Sequence, residues 1–253
     1  MARQKSFIKL EGELGGILFY QTKDGFVARQ KTGVSGDKIK SDPRFARTRE
    51  NNAEFKRGAQ GAKLIRSAFR DIAAGIADKR ITSRLIREAV KIVKSDPVSL
   101  RGERNMLEGD QELLTGFEFN VDGTLASTFY VIFEASLDRV TGQATIDIPA
   151  FNPQKMMLIP EGTTHFRFLA AASTVDFENS RFRSARVASA ELAVNRDVAA
   201  LQLNAAFTPD ANEQTVFVAF GIEFLQLVNG QHYPLINGNF NAMAFVLIDK
   251  PQA

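Results

Sequence analysis

The chain has 253 residues, 44% of them apolar and 24% charged, with 32 Lys/Arg against 29 Asp/Glu and no cysteine. That balance excludes wholesale disorder, and the lack of thiols excludes disulfides, cysteine nucleophiles and cysteine metal sites. No apolar run approaches the roughly 20 residues that span a bilayer, and "MARQKSFIKLEGE" turns polar too early for a secretory signal, so the expected setting is the cytoplasm, with no membrane partner.

The small net charge hides a division. Residues 1–110 hold 24 Lys/Arg against 14 Asp/Glu, and residues 111–253 hold 8 against 15. A basic module over 1–110 and an acidic, Phe-rich domain over 111–253 follow, a polarity that suits a polyanion or a head-to-tail partner.

In chain order, "SFIKLEG", "GILFYQT" and "DGFVARQ" read as short strands joined through Gly15–Gly16 and an Asp24–Gly25 hairpin signal. "KTGVSGDKIKSDPRFARTREN" is too rich in Gly, Pro and charge for a helix or strand before residue 44, so it is expected to be an arm. Helical spacing then runs through Phe55, Ala59, Ala62, Ile65, Phe69, Ile72 and Ile76. Gly58 and Gly61 inside it signal either close approach of another backbone or a break. A second helix over about 82–94 would bury Leu85, Ile86, Ala89, Val90 and Val93 and stop at Ser95-Asp96-Pro97.

From residue 112 the period changes to 2. The segments from "TLASTFYVIFEASL" to "NAMAFVLID" read as seven or eight strands, separated by turns at Thr141–Gly142, Asn152–Pro153, Pro209–Asp210, Asn229–Gly230 and Asn237–Gly238. The fold class is therefore α+β: an N-terminal β-hairpin or meander and a two-helix module, followed by an antiparallel β-sandwich. "TVFVAFGIEFLQLV", apolar on both faces, belongs near the centre of a sheet. The last strand is expected to pair within its own chain rather than with another copy.

Catalytic patterns are absent. His165 and His232 have no metal-ligand spacing, "GELGG" matches no phosphate loop, and there is no GxSxG elbow. No catalytic residue, metal ligand or cofactor is assigned, and the chain is read as not an enzyme. With no Trp and three Tyr, aromatic sugar platforms are disfavoured.

The chemistry-bearing feature is "RITSRLIREAVKIVK". Its steps of 4, 3, 4 and 3 place Arg80, Arg84, Arg87, Lys91 and Lys94 along one helical face about 20 Å long. Such a row is either the solvated side of an ordinary helix or a surface for a polyanion. Arg44, Arg47, Arg49, Lys56, Arg57, Lys63, Arg66 and Arg70 add cations in the segment before it.

Through "LGGILFYQTKDGFVARQK", "SDPRFARTRENNAEF", "IPEGTTHFRFLAAASTVDFE" and "NGQHYPLINGNFNA", the chain resembles a family of uncharacterised proteins common in Bacteroidota, over nearly its whole length. The resemblance implies an N-terminal hairpin, a basic arm with Pro43, Arg44, Phe45 and Arg49, then helices and a β domain. It implies no activity.

These readings lead to a non-enzymatic structural protein that assembles with itself into a filament, tube or shell. The contacts would come from an arm bearing Lys31, Lys38, Lys40, Pro43, Arg44, Phe45, Arg47 and Arg49, and from the β-sandwich. The alternative is a nucleic-acid-binding protein that uses the 80–94 row and the cations before it.

Overall fold

The computed structural model describes residues 2–23, 25–31, 33–207, 214–235 and 240–250. The expected turns at Asp24–Gly25, Pro209–Asp210 and Asn237–Gly238 include positions outside the described residues. The chain folds as two compact units, residues 1–49 and 50–253. The boundary expected near residue 110 falls inside the second unit, because the helices bury their apolar stripe on the β-sheet as well as on each other.

In the first unit, β1 (Ala2–Arg3), β2 (Gly12–Leu14), β3 (Ile17–Thr22) and β4 (Gly25–Gln30) form an antiparallel sheet in the order β1-β4-β3-β2. Gly15 and Gly16, at φ 57° and 77°, supply the positive φ at both centres of the β2–β3 turn. The arm expected to be irregular contains a helix, α1 (Gly36–Ser41). Ser35 caps it by accepting from the Lys38 amide, and Asp37 sits in its first turn, which outweighs the helix penalty of Gly36. Asp42 then caps a 3-10 turn, Pro43–Phe45.

The long helix α2 (Ala46–Ala68) begins in the first unit, runs into the second and continues unbroken past Gly58 and Gly61. A Cβ on Gly58 would stand 2.9 Å from Val90 Cγ2 and 3.1 Å from the Val90 amide nitrogen, so the glycine marks close approach of a second helix. The expected continuation to Ile76 fails at Phe69, with φ −105°, and only a short α3 (Arg70–Ala73) follows. Phe55, expected in the core, is 56% exposed, because the buried stripe runs through Glu54, Gly58, Gly61, Ala62 and Ile65 instead. Helix α4 (Ile81–Ser95) buries Ile81, Leu85, Ala89, Ile92 and Val93; the expected Ile86 and Val90 are only half-buried.

Past the short α5 (Leu125–Thr128), which replaces the start of an expected strand, lie β5 (Glu134–Asp138), β6 (Gln143–Ile148) and α6 (Pro153–Met156). The rest is strand: β7 (His165–Asp176), β8 (Arg181–Ala188), β9 (Leu192–Ala193), β10 (Leu201–Ala206), β11 (Thr215–Val228), β12 (Gln231–Pro234) and β13 (Ala242–Asp249). β11 and β7 pair antiparallel from Thr215–Val175 to Leu225–His165, with β12 and β13 along the far side of β11 and β8 and β9 along that of β7. A second sheet runs β10-β6-β5.

The two sheets enclose one core, built from Phe166, Phe168, Phe220, Ile222 and Phe224 against Ala144, Ile146 and Leu203. On the other face of the large sheet Phe217, Ala219 and Phe245 meet Ile65, Phe69 and Ile92 of the helices. The order of layers is thus helices, six-stranded sheet, three-stranded sheet. Both faces of β11 are covered, which accounts for its nearly continuous apolar run.

Candidate functional site

The N-terminal sheet is the first candidate surface. Pairing of Leu14 with Ile17, Phe19 with Ala28 and Gln21 with Phe26 puts Leu14, Ile17, Phe19 and Phe26 on one face. Leu14 is 69% and Ile17 41% exposed, and Phe7, Ile8, Leu10 and Val34 are exposed as well. Among the described residues of this unit only Val27 is buried. A sheet of this size gains independent stability only when an apolar face is covered.

The arm residues are largely engaged with their own unit. Lys31 pairs with Glu13 at 2.6 Å, Lys40 with Asp37 at 3.7 Å and Arg44 with Asp42 at 2.8 Å. The Arg44 side chain holds the Asp42 carboxyl below the usual carboxylate range. Arg49 donates to the carbonyls of Ile39 and Asp42, both at 2.9 Å, tying the end of α1 to the turn that follows it. Pro43 opens the 3-10 turn that Phe45 closes. Lys38 lies on α1, where its amide is capped, and Arg47 lies exposed in the first turn of α2. The arm is therefore a folded element with charged flanks, not an extended strap.

The basic row divides under inspection. Arg84 is not on the surface: its side chain is 16% exposed, contacts Asp78 at 2.5 Å, donates to the carbonyls of Glu118 (2.6 Å) and Phe119 (3.1 Å), and lies 5.0 Å over the Phe117 ring. Burial opposes ionisation of Asp78, but the Arg80 and Val121 amides and the Arg84 guanidinium prevail, and its pKa is lowered. Arg87 and Lys91 share Glu88, at 2.9 and 2.6 Å. Arg80 and Lys94 are exposed and have no ion pair among the described residues.

Sequence reading missed a cleft between the 74–80 loop and the sheet. Its larger lobe, about 830 Å³, is bounded by Gly75, Lys79, Arg80, Asn120 and Asn241. A second lobe of about 360 Å³ is lined by Asp71, Ile72, Arg167, Leu169, Arg186 and Val187. Ala74 and Glu223 belong to both. Glu223 and Arg167 are direct partners across β11 and β7, with Nε and Nη2 of Arg167 at 2.7 and 2.6 Å from the same oxygen, Oε2. The walls are fixed: Asn241 donates to the Gly75 carbonyl (3.1 Å) and accepts from the Phe224 amide (3.0 Å), while Asn120 donates to the Asn241 carbonyl (2.9 Å). The available signal was Glu223 itself, the single charged residue in fourteen of β11.

His165 and His232, far apart in sequence, meet with ring centroids 4.4 Å apart. The Thr164 hydroxyl lies 3.0 Å from His165 Nδ1 and also accepts from the Leu227 amide at 2.7 Å. Burial, then the charge of His232, lowers the His165 pKa. No cluster of three metal-ligating side chains occurs among the described residues, and no helix there is long and apolar enough to cross a membrane.

No family model matches this chain, and no curated protein matches it. One similar solved structure comes from work on pH-induced modulation of Streptococcus parasanguinis adhesion by Fap1 fimbriae. It is 12% identical, covers 44% of this chain and 78% of that chain, and superposes with a TM-score of 0.20, too low to carry an argument.

Proposed function

We propose that the chain is a non-enzymatic structural protein that assembles with itself, and that residues 1–49 supply the contact. The observation behind this reading is the four-stranded sheet with one buried residue and a face on which Leu14 and Ile17 are exposed and Phe19 and Phe26 only half-buried. Burying such a face is worth about 25 cal/mol per Å², a gain this unit does not collect from its own residues. A second copy is the favoured cover on charge grounds: residues 1–49 hold 11 Lys/Arg against 5 Asp/Glu, and the remainder holds 21 against 24. Head-to-tail contacts of unlike surfaces close into rings or extend into filaments and tubes. The cytoplasm, the default for a chain without cysteine, is the compartment we assign to it.

Size-exclusion chromatography with light scattering tests this, at low and high salt, on the full chain and on Leu14→Asp/Ile17→Asp. The native chain should elute as many subunits and the double variant as a monomer. Deleting residues 1–44, which leaves α2 whole, should do the same. A monomeric native chain, or an assembly unchanged in both variants, would overturn the proposal. The nucleic-acid alternative is visible in the same run as a high 260 nm signal lost in salt. It draws on a row in which three of five cations already hold a carboxylate of this chain.

A further inference from the structure

The Arg167–Glu223 pair calls for an explanation that packing does not supply. It lies on the face of β7 and β11 that, a few residues further along, meets the helices through Leu169, Ala171 and Ala219. Glu223 is buried while Arg167 is 35% exposed, and replacing such a pair by apolar residues is often neutral or stabilising, so a pair kept in the middle of a sheet points to use rather than to stability. The pair is also incomplete. Both guanidinium contacts fall on Oε2, and Oε1 of Glu223 has no hydrogen bond among the described residues. It is not among the buried unpaired atoms, so it is open to the cleft that Glu223 lines on both sides.

The cations facing the same space are unspent. The side chains of Arg186 in the smaller lobe, and of Lys79 and Arg80 in the larger, have no ion pair or hydrogen bond among the described residues. Of the other carboxylates, Asp78 is consumed by Arg84 and by the Arg80 and Val121 amides, whereas Asp71 in the smaller lobe and Asp122 in the larger hold no ion pair among the described residues. The smaller lobe therefore joins the open Glu223 oxygen and the Asp71 carboxylate, the free guanidinium of Arg186 and an aliphatic wall of Ile72, Leu169 and Ala188. A simple anion would leave Oε1 facing it, and a simple cation would leave Arg186 unpaired.

We propose that this cleft binds a zwitterionic α-amino acid or dipeptide. The ligand's ammonium sits on Glu223 Oε1, its carboxylate on Arg186, and an aliphatic portion lies against Ile72, Leu169 and Ala188. Charge-assisted hydrogen bonds at both ends distinguish this ligand from one carrying a single charge. A lobe of about 360 Å³ falls within the usual size of small-molecule sites. The site lies wholly in residues 50–253 and does not depend on self-assembly.

Isothermal titration of the full chain provides the test, with the twenty standard amino acids added singly and dialanine as the peptide probe. At least one should bind. Its deaminated acid and its decarboxylated amine should each bind at least tenfold more weakly. Arg186 is an exposed residue of β8, so Arg186→Gln should fold, as circular dichroism would verify, and should weaken binding at least tenfold. Arg183→Gln, on the opposite face of the same strand, should not. Preference for dialanine over alanine would identify a dipeptide as the source, and the reverse a free amino acid. The proposal is overturned if no probe binds, if either singly charged analogue binds as tightly as its parent, or if Arg186→Gln binds like the native chain.

Discussion

Truncating Arg84 to Ala should destabilise the chain more than any other change in the basic row. Arg84 and Asp78 are 16% and 10% exposed, and two carbonyls as well as the carboxylate depend on the guanidinium. Removing one partner of a buried pair costs about 3–5 kcal/mol. Asp78 retains the Arg80 and Val121 amides at 2.6 and 3.1 Å, which places the loss near the lower bound, about 3 kcal/mol. Arg87 is the internal control: its side chain is 68% exposed, and Arg87→Ala should cost no more than about 0.5 kcal/mol. Urea unfolding at pH 7 and 25 °C reads the difference. With a slope of about 3 kcal/mol per molar, the Arg84→Ala midpoint falls by about 1 M at unchanged slope. If Arg84→Ala and Arg87→Ala unfold within about 0.5 kcal/mol of each other, Arg84 is not the structural tie described here. Charge reversal at Arg84 would confound any test of polyanion binding with unfolding, so such tests belong at Arg80 and Lys94.

Gly58→Ala gains about 1 kcal/mol of helix propensity but drives a methyl into the Val90 backbone, where overpacking costs about 1–3 kcal/mol, so a net loss of about 1 kcal/mol is expected in the same urea assay. Asp96 is 3% exposed and accepts the Val98, Ser99 and Asn105 amides at 2.8, 2.9 and 3.0 Å; Asp96→Asn should cost about 2 kcal/mol, since hydrogen bonds to a charged group are worth about 1.5–3. Burial opposes the Asp78 and Asp96 carboxylates, yet their hydrogen bonds lower both pKa values, so their stabilisation is complete above about pH 4, the unfolded value, and is lost as pH falls through the folded values. An acid titration of native and Asp96→Asn chains should show the smaller loss in the variant. His165 is lowered too, but as a base: the unfolded chain takes the proton first, so stability falls as pH drops through about 6.5. His165→Gln should flatten the slope of unfolding free energy between pH 7 and 5.

The period-2 segments, the central place of β11 and the role of Gly58 were legible because each rests on local pattern or on a residue with one steric meaning. The helix-to-sheet packing that merges residues 50–110 with the β domain was not, since an apolar stripe does not name the surface that will cover it. The same limitation applies to the row of five cations. Spacing correctly put Arg84 on the helix, yet its carboxylate lies six residues upstream and its carbonyl acceptors more than thirty downstream, in a loop whose path is set by the tertiary fold. Helix α1 was readable in principle: Ser35-Gly36-Asp37 is a cap followed by a first-turn acid, a signal that the glycines around it outweighed in the reading. The cleft depends on Glu223 facing Arg167 across a register that only the paired strands define.

Glu223 also bears on how the chain avoids associating wrongly while it folds. Without it, β11 would be fourteen residues with neither charge nor proline, the kind of segment that stacks on its own copies. In a parallel in-register stack, identical residues sit about 4.8 Å apart, so every added chain would bring one Glu223 carboxylate against the next. Correct pairing with β7 removes that repulsion by presenting Arg167 at the same position. One carboxylate thus penalises the homotypic partner and rewards the native one, so that the central strand is most soluble until its proper neighbour arrives.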